Sequence, residues 1–141
     1  MKIKANIQNS QGQHQVTLTT NDHSHSIIIY PKSSGLGSSV NGGELLFLAL
    51  ATCYCNDIYR EAAKRNIEVK KVEVEVSGDF GAEGEGARNV SYSAKVHAKG
   101  IEEEIRKLME YTDTVAEIQN TLRAGTDVKL SGVEITFVAS G

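Results

Sequence analysis

Asn41-Gly42-Gly43-Glu44-Leu45-Leu46-Phe47-Leu48-Ala49-Leu50-Ala51-Thr52-Cys53 is the stretch on which the fold turns. Asn41 followed three residues later by Glu44 has the form of a capping box, with Asn where Ser or Thr is usual, and so marks a helix start. Everything from Leu45 to Ala51 is apolar, on all sides of a helix rather than one, and a helix of that kind is buried. From Asn56 onward the segment becomes amphipathic and charged (Asp57, Arg60, Glu61, Lys64, Arg65), and Asn66 suits a C-terminal stop. The reading is one central helix over roughly 41–65.

On its N-terminal side the pattern changes to strands. Residues 2–9 alternate, Gln11-Gly12 marks a turn, and residues 14–20 alternate again with Val16 and Leu18 on one face. Asn21-Asp22 is a second turn, and Ser26 to Tyr30 is a β-branched run ended by Pro31, the only proline. Ser33 to Ser39 is a flexible Ser/Gly connection. Beyond the helix, strands are expected at about 67–78 and 88–99, joined by the Gly-rich acidic loop GDFGAEGEGA. That loop lacks a Lys-Ser/Thr after its glycines and reads as a hairpin connection rather than a phosphate cradle. Ile101 to Tyr111 is helical, Thr114-x-x-Glu117 is a capping box for another helix closed by Gly125, and Val128 to Val138 is a last strand. The order βββ-α-ββ-αα-β makes an α+β fold, read as a single domain over 1–141. The available strands can cover only part of the circumference of one long helix. A second subunit is therefore expected over the rest, as an obligate homodimer.

Composition excludes several classes. The 141 residues are 40% hydrophobic and 23% charged with a net charge of −3, which fits a folded globular chain and argues against disorder. A sequence pI near 5.8 and no basic run longer than Lys70-Lys71 give no footing for nucleic acid or an anionic membrane. The longest apolar run is far short of the roughly 20 residues that span a bilayer, and no secretory h-region follows Met1, so a cytoplasmic protein is expected. Both cysteines are then thiols. Cys53 and Cys55 do not form a CxxC pair, and on a helix they point to opposite sides. His23 and His25 alternate on a strand with no Cys or carboxylate pattern to complete a metal site, so neither a metal nor a cofactor is expected.

The chemistry concentrates at Cys53. Asn56 and Asp57 follow at i+3 and i+4, so the three share one helix face, with Tyr54 and Cys55 beside them as further pocket candidates. A buried free Cys is often only a small hydrophobe, but buried polar neighbours need partners. Reaction at the sulfur requires the thiolate, hence a nearby cation or a helix N-terminus. Cys53 lies well inside its helix, beyond the dipole, and Asp57 pushes its pKa upward. The candidate cations are Lys4, His14, His23, His25 and Lys32, whereas Arg60 and Glu61 read as a solvated face.

The segment Asn41 to Cys53 resembles the N/S-P-E-E/Q-L-L…A-A-C motif of the OsmC/Ohr family of osmotically inducible and organic hydroperoxide resistance proteins. Chain length, element order, and Asn120-Thr121-Leu122 followed by Ala124-Gly125 match the family as well. The resemblance implies an intertwined homodimer with a buried central helix. It also implies reduction of organic hydroperoxides by a peroxidatic Cys, a resolving Cys, and an Arg–Glu pair. Carried over, the peroxidatic Cys falls on Cys53 and the resolving Cys on about Ala116. The activating Glu falls on Gly43, with Glu44 displaced by one residue, and the first arginine of the chain is Arg60. The expected function is a one-cysteine, thiol-dependent peroxidase linked to oxidative stress, with Cys53 and Glu44 as catalytic candidates and an external thiol as reductant. Two alternatives are a non-catalytic dimer that binds a small apolar ligand at the interface, and a Cys53 that is merely packed.

Overall fold

A computed structural model describes residues 1–138. Its elements in chain order are β1 (Ile3–Ser10), β2 (Gln13–Thr20), β3 (His23–Ile27), α1 (Gly42–Lys64), β4 (Glu68–Phe80), β5 (Ala87–Lys99), α2 (Glu102–Val115) and α3 (Glu117–Arg123). The chain forms two compact units, Met1–Ala51 with Glu75–Tyr92, and Thr52–Val74 with the residues from Ser93 onward. No helix among the described residues is long and apolar enough to cross a membrane.

In the first unit β1, β2 and β3 form an antiparallel meander with registers Ile7↔Val16 and Val16↔Ile27. Alternation places Val16 on the covered face, where it is buried. Gly12 (φ 74°) and Asn21 (φ 53°) supply the left-handed positions of the two turns. The third strand is His23–Ile27 rather than 26–30. Its ladder to β2 runs out at Ile27, and the chain then heads for Pro31, which lacks an amide donor. The Ser/Gly connection is anchored by Asn9, whose Nδ2 donates to Gly37 O at 3.1 Å and whose Oδ1 accepts from Gly37 N at 3.0 Å.

The α1 capping box forms as the sequence implies: Glu44 N donates to Asn41 Oδ1 at 2.8 Å, and Asn41 N donates to Glu44 Oε1 at 2.9 Å. Phe47 stacks on Phe80 with centroids 5.9 Å apart. Two glycines permit this approach. A Cβ on Gly43 would lie 2.9 Å from Phe80 Cε2, and one on Gly78 would lie 2.8 Å from Phe47 Cζ. The expected burial of this helix on every side is not met within the chain, because Leu45 is 40% and Leu48 59% exposed.

In the second unit α1 contributes a buried stripe of Tyr54, Ile58 and Ala62, spaced by four, and α2 contributes Leu108 and Thr112. The helix stops at Asn66 (φ 56°), where Asn66 N bonds Ala63 O and Ile67 N bonds Ala62 O, a Schellman closure. Here β4 and β5, which pair as a two-stranded sheet, alternate half-buried Val72 and Val74, and Ala94 and Val96, with exposed polar and charged residues. α2 runs past 111 to Val115, so Thr114 is helical. Its Oγ1 donates back to Tyr111 O instead of capping the next helix. Extended backbone at Ala116 separates α2 from α3 without a side-chain cap, and Gly125 (φ 63°) closes α3. The last strand expected at 128–138 is absent from the single chain. Residues there have no regular structure, and Val128 and Phe137 are 96% and 89% exposed. A strand needs a neighbouring edge for its ladder, and no described strand pairs with this segment.

Candidate functional site

The second half of α1 carries Cys53, Asp57, Arg60 and Glu61 at helical spacing, and the first residue of α3, Glu117, faces them. Cys53 is half-buried, and its Sγ lies 3.6 Å from both Asp57 Oδ2 and Glu117 Oε1, close enough to donate its proton to either. Arg60 joins the carboxylates. Its Nη1 is 3.1 Å from Asp57 Oδ1 and 3.0 Å from Glu117 Oε2, and its Nε donates to Glu61 Oε2 at 2.8 Å. Glu61 is buried, and Lys64 Nζ at 3.0 Å and Arg65 Nη1 at 3.5 Å also reach it. Arg65 in turn lies over the Tyr111 ring, 4.7 Å from its centroid.

Electrostatics follow from this packing. Burial pushes the Cys53 thiol upward, the Asp57 and Glu117 charges add to that, and the backbone N–H of Ile118 opposes it. Asp57 is pushed up to about 6, first by burial and then by its hydrogen bond and charge contact with Glu117, against the pull of Arg60. Glu117 is held down at about 2, mainly by the hydrogen bond from Asp57, with Arg60 helping. Glu61 is lowered by Arg60 and then by Lys64. The thiol is therefore kept protonated, with a carboxylate base at contact distance.

Of the residues singled out from sequence, Cys53 and Asp57 come together, whereas Asn56 is exposed. Tyr54 belongs to the core. It is buried, its hydroxyl donates to Met109 O at 2.8 Å, and burial raises its pKa to about 12. Cys55 is a half-buried free thiol, and Glu44 is engaged at the α1 N-terminus. His14 Nδ1 meets Asn9 Nδ2 at 2.9 Å, and Lys32 packs against Gly37.

Sequence reading missed Arg60 and Glu117. By residue pattern the first reads as part of a solvated face and the second as a helix cap, whereas both belong to this cluster. The available signal was positional: Glu117 adjoins Ala116, where the resemblance puts the second cysteine, and Arg60 follows Asp57 by one helical turn. Cys53, Asp57 and Glu117 each offer one ligand atom, all within 4.8 Å of one another, which would suit zinc in number and type. Arg60 already bridges the two carboxylates there. A shallow hollow of about 330 Å³ in the same unit is lined by Arg65, Ile67, Glu104 and Lys107, none of them a residue singled out for binding.

A family model described as OsmC-like protein matches residues 35–131. Among solved structures, the OsmC-like protein of Mycoplasma pneumoniae is 20% identical, over 85% of this chain and 87% of that one, with a TM-score of 0.58. An organic hydroperoxide resistance protein OsmC from Legionella pneumophila, also described as a predicted redox protein, is 21% identical over 92% and 94%, with a TM-score of 0.55. An OsmC-like protein of unknown function from Vibrio cholerae is 14% identical over 85% and 91%, with a TM-score of 0.54. No curated protein matches the chain. These structures share the α+β architecture, and the family match extends over most of the sequence: the chain belongs to the OsmC-like family.

Proposed function

We propose that this chain reduces organic hydroperoxides through Cys53 in a one-cysteine cycle that serves the response to oxidative stress. The observation that carries the reading is a thiol in contact with two carboxylates tied to one guanidinium. A thiol held protonated by its surroundings needs a base at contact distance, and Asp57, poised near 6, supplies one. Cys53 sulfur attacks the terminal peroxide oxygen, and the S–O bond forms as the O–O bond breaks. The thiol proton passes through Asp57 to the departing alkoxide, which leaves as an alcohol. Sulfur is oxidised by two electrons to sulfenic acid, and the peroxide is reduced. An external thiol then forms a mixed disulfide with release of water, and a second external thiol frees Cys53 and leaves as a disulfide.

Family membership supports the reading, and so does the Legionella pneumophila relative's description as a hydroperoxide resistance protein. A homodimer and a reducing, cytoplasmic setting belong to the same proposal. Exposed Leu45 and Leu48 and the uncovered 128–138 segment support the dimer, and two free thiols support the setting. The test is intact mass after one equivalent of an organic hydroperoxide with dimedone present, for wild type, Cys53→Ser and Cys55→Ser. The expected result is a rapid sulfenic-acid adduct lost only in Cys53→Ser. The raised pKa of Cys53 favours a second reading, binding of a small apolar ligand without turnover. Adduct formation no faster than with a free thiol would select it.

A further inference from the structure

The side chains in contact with the Cys53 sulfur are both carboxylates. Asp57 lies beneath it, buried, and Glu117 lies beside it with its side chain 60% exposed, both at 3.6 Å. Arg60 is the cation that binds this pair, and its Nη1 is divided between the two carboxylates while its Nε is held by Glu61. Lys64 and Arg65 are turned to Glu61, which sits one helical turn beyond Asp57. Two carboxylates against one shared guanidinium leave a net negative charge beside the sulfur, and Glu117 is the more exposed of the two carboxylates.

We propose that Glu117 makes the Cys53 site selective by charge, admitting uncharged or cationic electrophiles and disfavouring those that carry a carboxylate or sulfonate near the reacting atom. The inference rests on the thiol reading above and narrows its substrate class to uncharged alkyl hydroperoxides. Glu117 is the specificity-determining residue, and Asp57 adds to the same field from below. Local potentials of one sign change encounter rates by factors of about 10 or more at low salt and lose that effect as ions screen them.

The test uses two small reagents of opposite charge on the full chain carrying Cys55→Ser, so that Cys53 gives the signal. They are the trimethylammonium-ethyl and sulfonato-ethyl methanethiosulfonates. In each, the thiolate attacks the sulfenyl sulfur, a new S–S bond forms and methanesulfinate departs. Rates are divided by those of the same reagents with a free small thiol. Both reagents draw on the same thiolate, so a change in the thiol pKa cancels in their ratio. The expected normalised cation-to-anion ratio is about tenfold at low ionic strength, falling toward one as salt rises. It should drop several-fold in Glu117→Gln, invert in Glu117→Lys and be retained in Glu117→Asp. The same order is expected for sulfenic-acid formation with tert-butyl hydroperoxide against a carboxylate-bearing hydroperoxide. A ratio near one in the parent protein, a ratio unmoved by Glu117→Gln and Glu117→Lys, or no modification by either reagent would overturn the inference. A large Glu117-dependent ratio without peroxide reaction would uphold the charge selectivity and remove the peroxidase reading instead.

Discussion

The two halves of α1 invert the usual arrangement of an amphipathic helix. Its first half is apolar and well capped, yet Leu45 and Leu48 remain exposed. Its second half carries the charges, yet Asp57 and Glu61 are buried. Charge can be buried in the second half because the helix supplies its own cations at i+3 and i+4, in Arg60, Lys64 and Arg65. No comparable internal remedy covers an exposed leucine stripe. The difference separates two demands, one met within the chain and one left unmet among the described residues.

The largest expected effect breaks the apolar half. Wild type should elute at about twice the chain mass by light scattering, and Leu48→Glu should elute at the mass of one chain. A wild-type monomer would show that the exposed stripe needs no partner. Next, Arg60→Met removes the bridge in the charged half and should destabilise the chain by roughly 2 kcal/mol in urea unfolding, a value kept modest because Arg60 is 41% exposed. An unchanged midpoint would mean that Lys64 and Arg65 suffice.

Asp57→Asn sharpens the comparison through pH. The folded-state pKa of Asp57 is raised from 3.8 to about 6, so its contribution to stability is full below about pH 4 and is lost as pH rises through about 6. Glu117 works in the opposite sense: its contribution is present above about 4.5 and is lost as pH falls toward about 2. The variant should flatten the first slope and lower the pH midpoint of Cys53 alkylation by iodoacetamide. An alkylation midpoint that stays in place would remove Asp57 from the thiol's surroundings. The smallest effect is Asn41→Ala, which deletes one cap from the apolar half and should cost about 1 kcal/mol.

Local signals were the legible ones. Asn41 with Glu44 and the Asn66 stop bounded α1 within a residue or so, because caps are written in a few adjacent side chains. Alternation of Val72, Val74 and Val76 announced β4 in the same way. Signals that depend on a distant partner were misread. Val128 to Val138 alternates as a strand should, but pairing is not a property of the segment alone. Thr114 has the residues of a cap, yet the preceding helix extended through it. At the site, helical spacing exposed Cys53 with Asp57, whereas Glu117 reaches them only through the extended residue Ala116 between α2 and α3. Arg60 follows Asp57 by one helical turn, but its bridge to Glu117 on α3 joins residues remote in sequence.

The contact between α1 and the end of β4 works like a double dovetail. Gly43 is the slot for the Phe80 ring, and Gly78 is the slot for the Phe47 ring, so each element carries one tongue and one groove. Such a joint fixes sliding and rotation together, which a plain apolar contact does not. It also ties the fate of four positions: a methyl group at Gly78 meets Phe47, Val90 and the Arg88 carbonyl at once, and a smaller residue at 47 relieves only the first. Change at this joint is therefore tolerated in matched sets, with Gly78 the least free of the four.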